Sequence, residues 1–163
     1  MKIEQIDQNF VVKTTNGTEY EYRNALEAPF ELSGFAWFDK EKELCRVLQK
    51  VLTSDVNDGV KALAWNTAGG MVRFRSDSAS IAVKAKLRDS VNMHHMPRTG
   101  SSGFDLYVAE GGKKVFCGNV VGDTEIDAVI RVFDNAEDRE LTLYFPLYNG
   151  VSELSIGILP GAK

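Results

Sequence analysis

From residue 71 onward the chain consists of short runs in which apolar and polar side chains alternate, and this pattern constrains the fold more than any other. In the run 80–87, every second residue is apolar and two of those between are lysines, as in a strand with one buried and one solvated face. Similar runs, separated by turn residues and without a long helical period, lie at 71–75, 104–108, 115–120, 128–133, 141–145 and 154–158. Many short strands without intervening helices predict an all-β fold, an antiparallel two-sheet β-sandwich of jelly-roll type.

The first 65 residues are less regular. Asn16-Gly17 follows an alternating run that begins at Phe10, and it predicts a hairpin because both residues tolerate the positive φ angles of a tight turn. The apolar residues 35–38 indicate a short strand. Apolar residues at spacings of three and four between 44 and 52 predict a short helix or helical turn within 40–65. At 163 residues, the chain is expected to form a single domain, 1–163.

Charge and hydropathy exclude several partners. A formal net charge of -4 argues against nucleic acid, because phosphate binding requires a positive surface. The apolar runs are too short to span a bilayer, so no membrane partner is expected. Residues 1–5 lack the apolar core of a signal peptide. The chain as written is therefore expected in the cytoplasm, and in the periplasm or outside the cell if a signal peptide has been removed.

The sequence shows no pattern for a metal or a cofactor, and none is expected. The candidate ligands Cys45, Cys117, His94 and His95 form neither a CxxC nor an HxxxH arrangement, and zinc requires about four ligands at suitable spacing. Two cysteines in a domain of this size do not make a disulfide framework. Cys117 lies in an alternating run and is interpreted as a small buried apolar residue.

The segment 94–103 is the strongest candidate for function, as a glycine- and serine-rich loop that leads directly into a strand. It opens with His94 and His95, the only histidines of the chain. With the neighbouring methionines they are candidates to form a surface for a small ligand, or to donate to an acyl oxygen in a site shared with another domain. The alternative is that one imidazole is buried and hydrogen-bonded while the other faces water. Arg98 is a candidate to bind a carboxylate or a hydroxyl-rich ligand, or to form an ion pair within the domain.

Catalytic motifs of serine hydrolases are missing, so no catalytic residue is assigned. Residues 100–103 do not form GxSxG, and SxxK does not occur in the chain. Gly122-Asp123-Thr124 resembles a Gly-Asp-Ser block, but a turn between strands needs the same residues. Asp105 lies on the strand face opposite Phe104, and its simplest role is to brace the loop through the N–H groups of residues 101–103.

Aromatic residues suggest a second route to function. Their flat apolar faces with polar tips suit sugar rings in a binding groove, although aromatic residues that alternate along sandwich strands usually belong to the core. The aromatic side chains concerned are Trp37, Trp65, Tyr107, Tyr144 and Tyr148.

The segment 96–107, MPRTGSSGFDLY, resembles the signature of the N-terminal GxDLY domain of GDSL-type (SGNH) lipases and acylhydrolases. The match consists of Gly103 with Asp105, Leu106 and Tyr107, preceded by Met-Pro-x-Thr-Gly-x-Ser. Three further blocks are similar and occur in the family's order, at 66–69, 72–78 and 147–151. The resemblance extends over most of the chain, from about residue 35 to its end.

The resemblance implies a β-sandwich that precedes a C-terminal SGNH hydrolase domain, which would carry the catalytic serine, the oxyanion hole and the Asp-x-x-His pair. The chain would then be the N-terminal part of a two-domain ester hydrolase, a non-catalytic accessory domain that helps to shape or orient an acylated, carbohydrate-like substrate. Residues assigned to substrate or interdomain contact are His94, His95, Met96, Arg98, Thr99 and Ser101, with Asp105 and Tyr107 bracing the loop. The alternatives are a free-standing carbohydrate-binding module and, least favoured, a domain that is itself catalytic.

Overall fold

In the computed structural model, which describes residues 11–163, ten strands form two five-stranded antiparallel sheets. The first sheet has the order β1-β2-β10-β5-β8 and the second the order β3-β4-β9-β6-β7. The strands are β1 (Val11–Thr15), β2 (Thr18–Asn24), β3 (Glu31–Ser33), β4 (Met71–Ser76), β5 (Ser80–Leu87), β6 (Gly103–Glu110), β7 (Lys113–Val121), β8 (Glu125–Val132), β9 (Arg139–Tyr144) and β10 (Val151–Ile158). The predicted all-β, antiparallel two-sheet sandwich is confirmed, and the jelly-roll type stays a prediction.

The core lies between the two sheets and follows from the alternation in the sequence. On β5, Ile81 and Val83 are buried and belong to the core, whereas Lys84 and Lys86 form ion pairs on the other face. On β6, Phe104 and Leu106 are fully buried, which directs Asp105 and Tyr107 to the outer face of the second sheet. This outer face carries the candidate site.

The hairpin at Asn16-Gly17 is present. Asn16 has φ 50° and Gly17 has φ 81°, and Thr15 pairs with Thr18 at the end of the β1–β2 ladder. Phe10, where the first run was predicted to begin, lies outside the described residues.

The predicted short helix within 40–65 is confirmed, as α2 (Gln49–Leu52) and α3 (Asp58–Leu63), and α1 (Phe38–Glu41) precedes them. The strand predicted at 35–38 is wrong. Gly34 turns the chain with φ +92° after the short strand β3, and Phe35 packs against Phe145 at 5.6 Å between ring centroids. The apolar character of this stretch therefore reflects an anchored loop, and a short helix follows it.

The first sheet curls until its two edge strands meet. Thr15 on β1 donates a hydrogen bond to Asp127 on β8 at 2.6 Å, and Thr15 also bonds the Tyr22 hydroxyl. Lys84 lies 3.1 Å from Asp127 and 4.4 Å from the centre of the Tyr22 ring. Burial raises the pKa of Tyr22 to about 12. The outer face of this sheet is thus filled by its own side chains.

Among residues 11–163, no helix has the length and apolar character needed to cross a membrane. Both cysteines are free, with Cys45 buried and Cys117 half-buried. Burial raises the pKa of the Cys117 thiol, whose sulfur lies 3.4 Å from the carbonyl oxygen of Leu106.

Candidate functional site

The segment predicted as a loop contains one helical turn, α4 (Arg98–Ser102), and this is a correction to the sequence-based interpretation. Pro97 precedes the turn with φ −63°, an angle already suited to a helix start. Gly103 then begins β6 at once. A Cβ atom on Gly103 would lie 2.3 Å from the carbonyl oxygen of Thr99, so the turn can fold back onto the strand only because this residue is glycine.

The β9–β10 loop holds α4 in place. The backbone N–H of Leu147 donates to the Gly100 carbonyl at 3.1 Å, and that of Tyr148 donates to the Ser101 carbonyl at 3.3 Å. These bonds satisfy carbonyl groups that a helix of five residues leaves without internal partners. The site therefore depends on a contact between segments that are far apart in sequence.

Asn149 connects three loops at this end of the sandwich. Its fully buried side chain donates to the Asp89 carbonyl at 2.6 Å and to Ser102 Oγ at 3.2 Å, and it accepts from the Asp89 N–H at 3.2 Å. Its carbonyl oxygen accepts from the N–H and the hydroxyl of buried Thr67, each at 3.0 Å. Three of the four blocks that resemble the GxDLY pattern, at 66–69, 96–107 and 147–151, thus meet in space.

Beside α4 lies a cleft of about 380 Å³ on the outer face of the second sheet, which we call the motif cleft. Its floor consists of residues on β6 and at the end of β9. Around this floor lie the turn at 69–70, the start of α4, Lys114 from β7 and Leu147 from the β9–β10 loop. The lining residues are Gly69, Gly70, Thr99, Gly100, Gly103, Asp105, Tyr107, Lys114, Tyr144, Phe145 and Leu147.

Asp105 and Lys114 give the motif cleft one charge of each sign. Asp105 is partly buried opposite Tyr144 in the β6–β9 register, and burial raises the pKa of its carboxyl group. Its carboxylate was expected to accept hydrogen bonds from residues 101–103, but within residues 11–163 it has no hydrogen-bond or ion-pair partner. Lys114 Nζ donates to the Tyr144 hydroxyl at 3.0 Å.

Tyr107 lies between two other aromatic rings. Its ring centroid is 5.6 Å from that of Phe116 and 5.4 Å from that of Tyr144, both with edge-to-face geometry, the arrangement that aromatic pairs prefer. Phe116 is 52% exposed. The three rings form an aromatic strip across β7, β6 and β9.

His94 and His95 project into solvent ahead of α4. Both are exposed, and their rings contact each other edge to face at 5.1 Å. In the part of the chain that the structure describes, neither histidine hydrogen-bonds a hydroxyl or a carboxylate side chain. Met96 is half-buried and lies under Gly100, where an added Cβ would come within 3.3 Å of the methionine Sδ.

The remaining predicted site residues divide between surface and interior. Arg98 forms an ion pair within the domain, the second of its two predicted roles. It donates to Asp123 at 2.9 Å and to the Gly122 carbonyl at 2.8 Å. Thr99 lines the motif cleft. Ser101 is fully buried, and its hydroxyl donates to the Arg98 carbonyl at 3.4 Å, so its side chain faces the interior of the domain.

Sequence reasoning missed Lys114, Thr67 and Asn149. Thr67 and Asn149 lie in the blocks 66–69 and 147–151, so their place in the GxDLY pattern is the one sequence signal that could have marked them. For metals, no three His, Cys, Asp or Glu side chains within residues 11–163 lie close enough together to hold an ion.

Comparison with known proteins gives independent evidence on the family of this chain. The family model GxDLY, described as the N-terminus of SGNH-hydrolase-type esterases, matches residues 20–163. A search of curated proteins found no match.

Two solved structures share the fold. One is described as a GDSL-like lipase from Bacteroides ovatus, with a TM-score of 0.80 and 29% identity over 88% of this chain and 42% of that one. The other is the salicylyl-acyltransferase of a tetracycline biosynthetic pathway, with a TM-score of 0.65 and 15% identity over 88% of this chain and 40% of that one. The chain therefore spans about two fifths of the length of the structures it matches.

Proposed function

Because the chain belongs to the GxDLY family, the N-terminal part of SGNH-hydrolase-type esterases, we propose that it is a non-catalytic accessory domain of an ester hydrolase. It packs against a C-terminal SGNH hydrolase domain, which supplies the nucleophile, and it helps to shape or orient an acylated, carbohydrate-like substrate. The observation that carries this proposal is the family match over residues 20–163.

The surface around α4 supports contact with a second domain. Leu147 is 45% exposed and Tyr148 is 39% exposed, and both bond to α4 through their backbone N–H groups. Exposed His94 and His95 stand just ahead of the same turn. A mixture of exposed apolar and polar side chains is typical of interfaces between domains of one chain.

The roles of individual side chains follow from their positions. His94, His95 and Thr99 face the hydrolase domain or its substrate, with half-buried Met96 supporting them. Arg98 fixes the direction of the segment through Asp123 and the Gly122 carbonyl. Ser101 contributes from the interior by holding α4 together.

Kinetics of the full-length two-domain protein test this proposal. In the double variant His94→Ala, His95→Ala, the KM for an acetylated hexose is expected to rise several-fold, because the variant removes groups that orient the substrate. Hydrolysis of p-nitrophenyl acetate, a small activated ester, is expected to stay unchanged. The matched control is Asp134→Ala, Asn135→Ala in the exposed β8–β9 loop at the other end of the sandwich. An unchanged KM for the sugar ester in the histidine variant would refute the proposed role.

The aromatic strip of Tyr107, Phe116 and Tyr144 favours the second candidate, a free-standing carbohydrate-binding module. Each exposed aromatic ring on a sheet face can pack against the apolar face of a sugar unit. The two candidates differ in what the gene encodes after this domain, because a binding module needs no hydrolase partner. Binding of polysaccharides by a protein that contains no hydrolase domain would favour the module.

A further inference from the structure

The floor of the motif cleft contains a carboxylate, Asp105, with no hydrogen-bond donor among residues 11–163. Asp105 projects from β6 between Gly103 and Tyr107, and none of the residues 11–163 donates a hydrogen bond to it. Partly buried carboxylates in proteins normally accept hydrogen bonds from protein groups, ordered water or a ligand. The Asp105 carboxylate is therefore available to accept hydrogen bonds from water or from a ligand in the cleft.

The other groups of the cleft restrict which class of ligand can replace water beside Asp105. Lys114 provides an ammonium group, which also bonds the Tyr144 hydroxyl at 3.0 Å, so the charges of the cleft side chains balance. Tyr107 and Tyr144 provide aromatic surface on the floor of the cleft. The cleft thus combines an acceptor, donors and apolar surface, which is the combination that neutral hydroxylated molecules require.

The size of the cleft agrees with a small ligand. Its volume of about 380 Å³ lies in the lower part of the range of about 300–1,000 Å³ that is usual for small-molecule sites. We propose that the motif cleft binds the ring of a neutral sugar or related polyol, with Asp105 accepting hydrogen bonds from two adjacent hydroxyl groups. Lys114 donates to a further oxygen of the ring. One tyrosine ring contacts the apolar face of the sugar, because the rings of Tyr107 and Tyr144 stand at 83° to each other.

Other ligand classes fit less well. A hydrocarbon chain would bury the Asp105 carboxylate without a hydrogen-bond donor and would remove water from the Lys114 ammonium group, and both changes are costly for charged groups. A phosphate or carboxylate ligand would meet Asp105 at close range, and like charges repel strongly where water is partly excluded. The inference holds whether the chain is an accessory domain or a free-standing module, because every group of the cleft belongs to this chain.

An NMR titration of the 163-residue chain tests the inference. The probes are methyl glucoside, methyl galactoside and methyl mannoside, with cyclohexanol as a ring that has a single hydroxyl group. With at least one glycoside, we expect saturable shifts of the backbone amide signals of Gly69, Gly70, Gly100 and Gly103, and we expect none with cyclohexanol. The variant Asp105→Asn should bind that glycoside about tenfold more weakly, since it loses a charge-assisted acceptor.

Two further variants keep the test decisive. Asp134→Asn carries the same chemical change on the exposed β8–β9 loop and should bind like the wild type. Lys114→Gln should weaken glycoside binding several-fold, and this variant tests the cleft if Asp105→Asn fails to fold. The inference is overturned if no glycoside shifts the four glycine signals, if shifts saturate elsewhere on the surface, or if folded cleft variants bind like the wild type.

Discussion

The side-chain nitrogen of Asn149 lies 3.2 Å from the hydroxyl oxygen of Ser102, and both residues are fully buried. This hydrogen bond joins the β9–β10 loop to the helical turn that precedes the Asp-Leu-Tyr strand. Asn149 also bonds both backbone groups of Asp89. The geometry of the candidate site therefore depends on one amide side chain that contributes nothing to the site's surface.

Replacing Asn149 with alanine should destabilise the domain by about 2–4 kcal/mol, because the backbone groups of Asp89 and the buried Ser102 hydroxyl lose their partner. Urea unfolding followed by circular dichroism measures the change. The matched control is Asn92→Ala, an exposed asparagine of the β5–β6 connection, which should leave the midpoint almost unchanged. Equal midpoints for the two variants would show that Asn149 does not hold the loops together.

Gly103→Ala should be strongly destabilising, by about 2 kcal/mol or more, because the new methyl group would lie 2.3 Å from the Thr99 carbonyl oxygen. The backbone of Gly103 itself has φ −112°, so the cost comes from crowding and not from the dihedral angle. Thermal unfolding gives the measurement. Gly59→Ala in α3 serves as the control and should be close to neutral, since alanine favours the helix. A Gly103 variant as stable as wild type would refute the close-packing explanation.

The sheet architecture could be predicted from the sequence because alternation reports directly on burial. Each β5 residue predicted to face inward, such as Ile81 and Val83, is in the core. The helical turn α4 could not be predicted in this way. Its five residues, RTGSS, have weak helix propensity, and the bonds from Leu147 and Tyr148 that hold it come from a distant segment.

Asp105→Asn separates a structural role from a binding role. Burial raises the pKa of this carboxyl group, so the folded chain holds the proton more tightly than the unfolded chain does. Protonated Asp105 therefore contributes to the stability of the folded chain below about pH 4, and this contribution is lost as the pH rises through the raised pKa. At neutral pH the asparagine variant should melt at the same temperature as wild type or slightly higher. A clear loss of thermal stability would instead support the bracing role predicted from the sequence.

Tyr22 should make the domain sensitive to alkali. Its pKa is raised to about 12, mainly by burial, against an ordinary value of about 10 in the unfolded chain. The stability from this group is complete below about pH 10 and is lost as the pH rises toward 12. Urea midpoints measured from about pH 9 to about pH 12 should fall less steeply with pH in Tyr22→Phe than in wild type. Parallel slopes would contradict this assignment.

The candidate site was predicted in part. The segment 94–103 and Asp105 were identified because unusual residues cluster there in sequence, and Thr99, Asp105 and Tyr107 do line one cleft. Lys114 was not predicted, because its contact with Tyr144 crosses two strand pairings and depends on the β6–β7 register. Ser101 looked available in the sequence, but the fold of α4 buries it.

The central claim is that this chain is the accessory domain of an SGNH ester hydrolase, and the nucleotide sequence after the codon for Lys163 tests it most directly. We expect the reading frame to continue into a hydrolase domain with a Gly-Asp-Ser-like block and an Asp-x-x-His pair. A stop codon at that point, with no hydrolase encoded next to it, would contradict the claim.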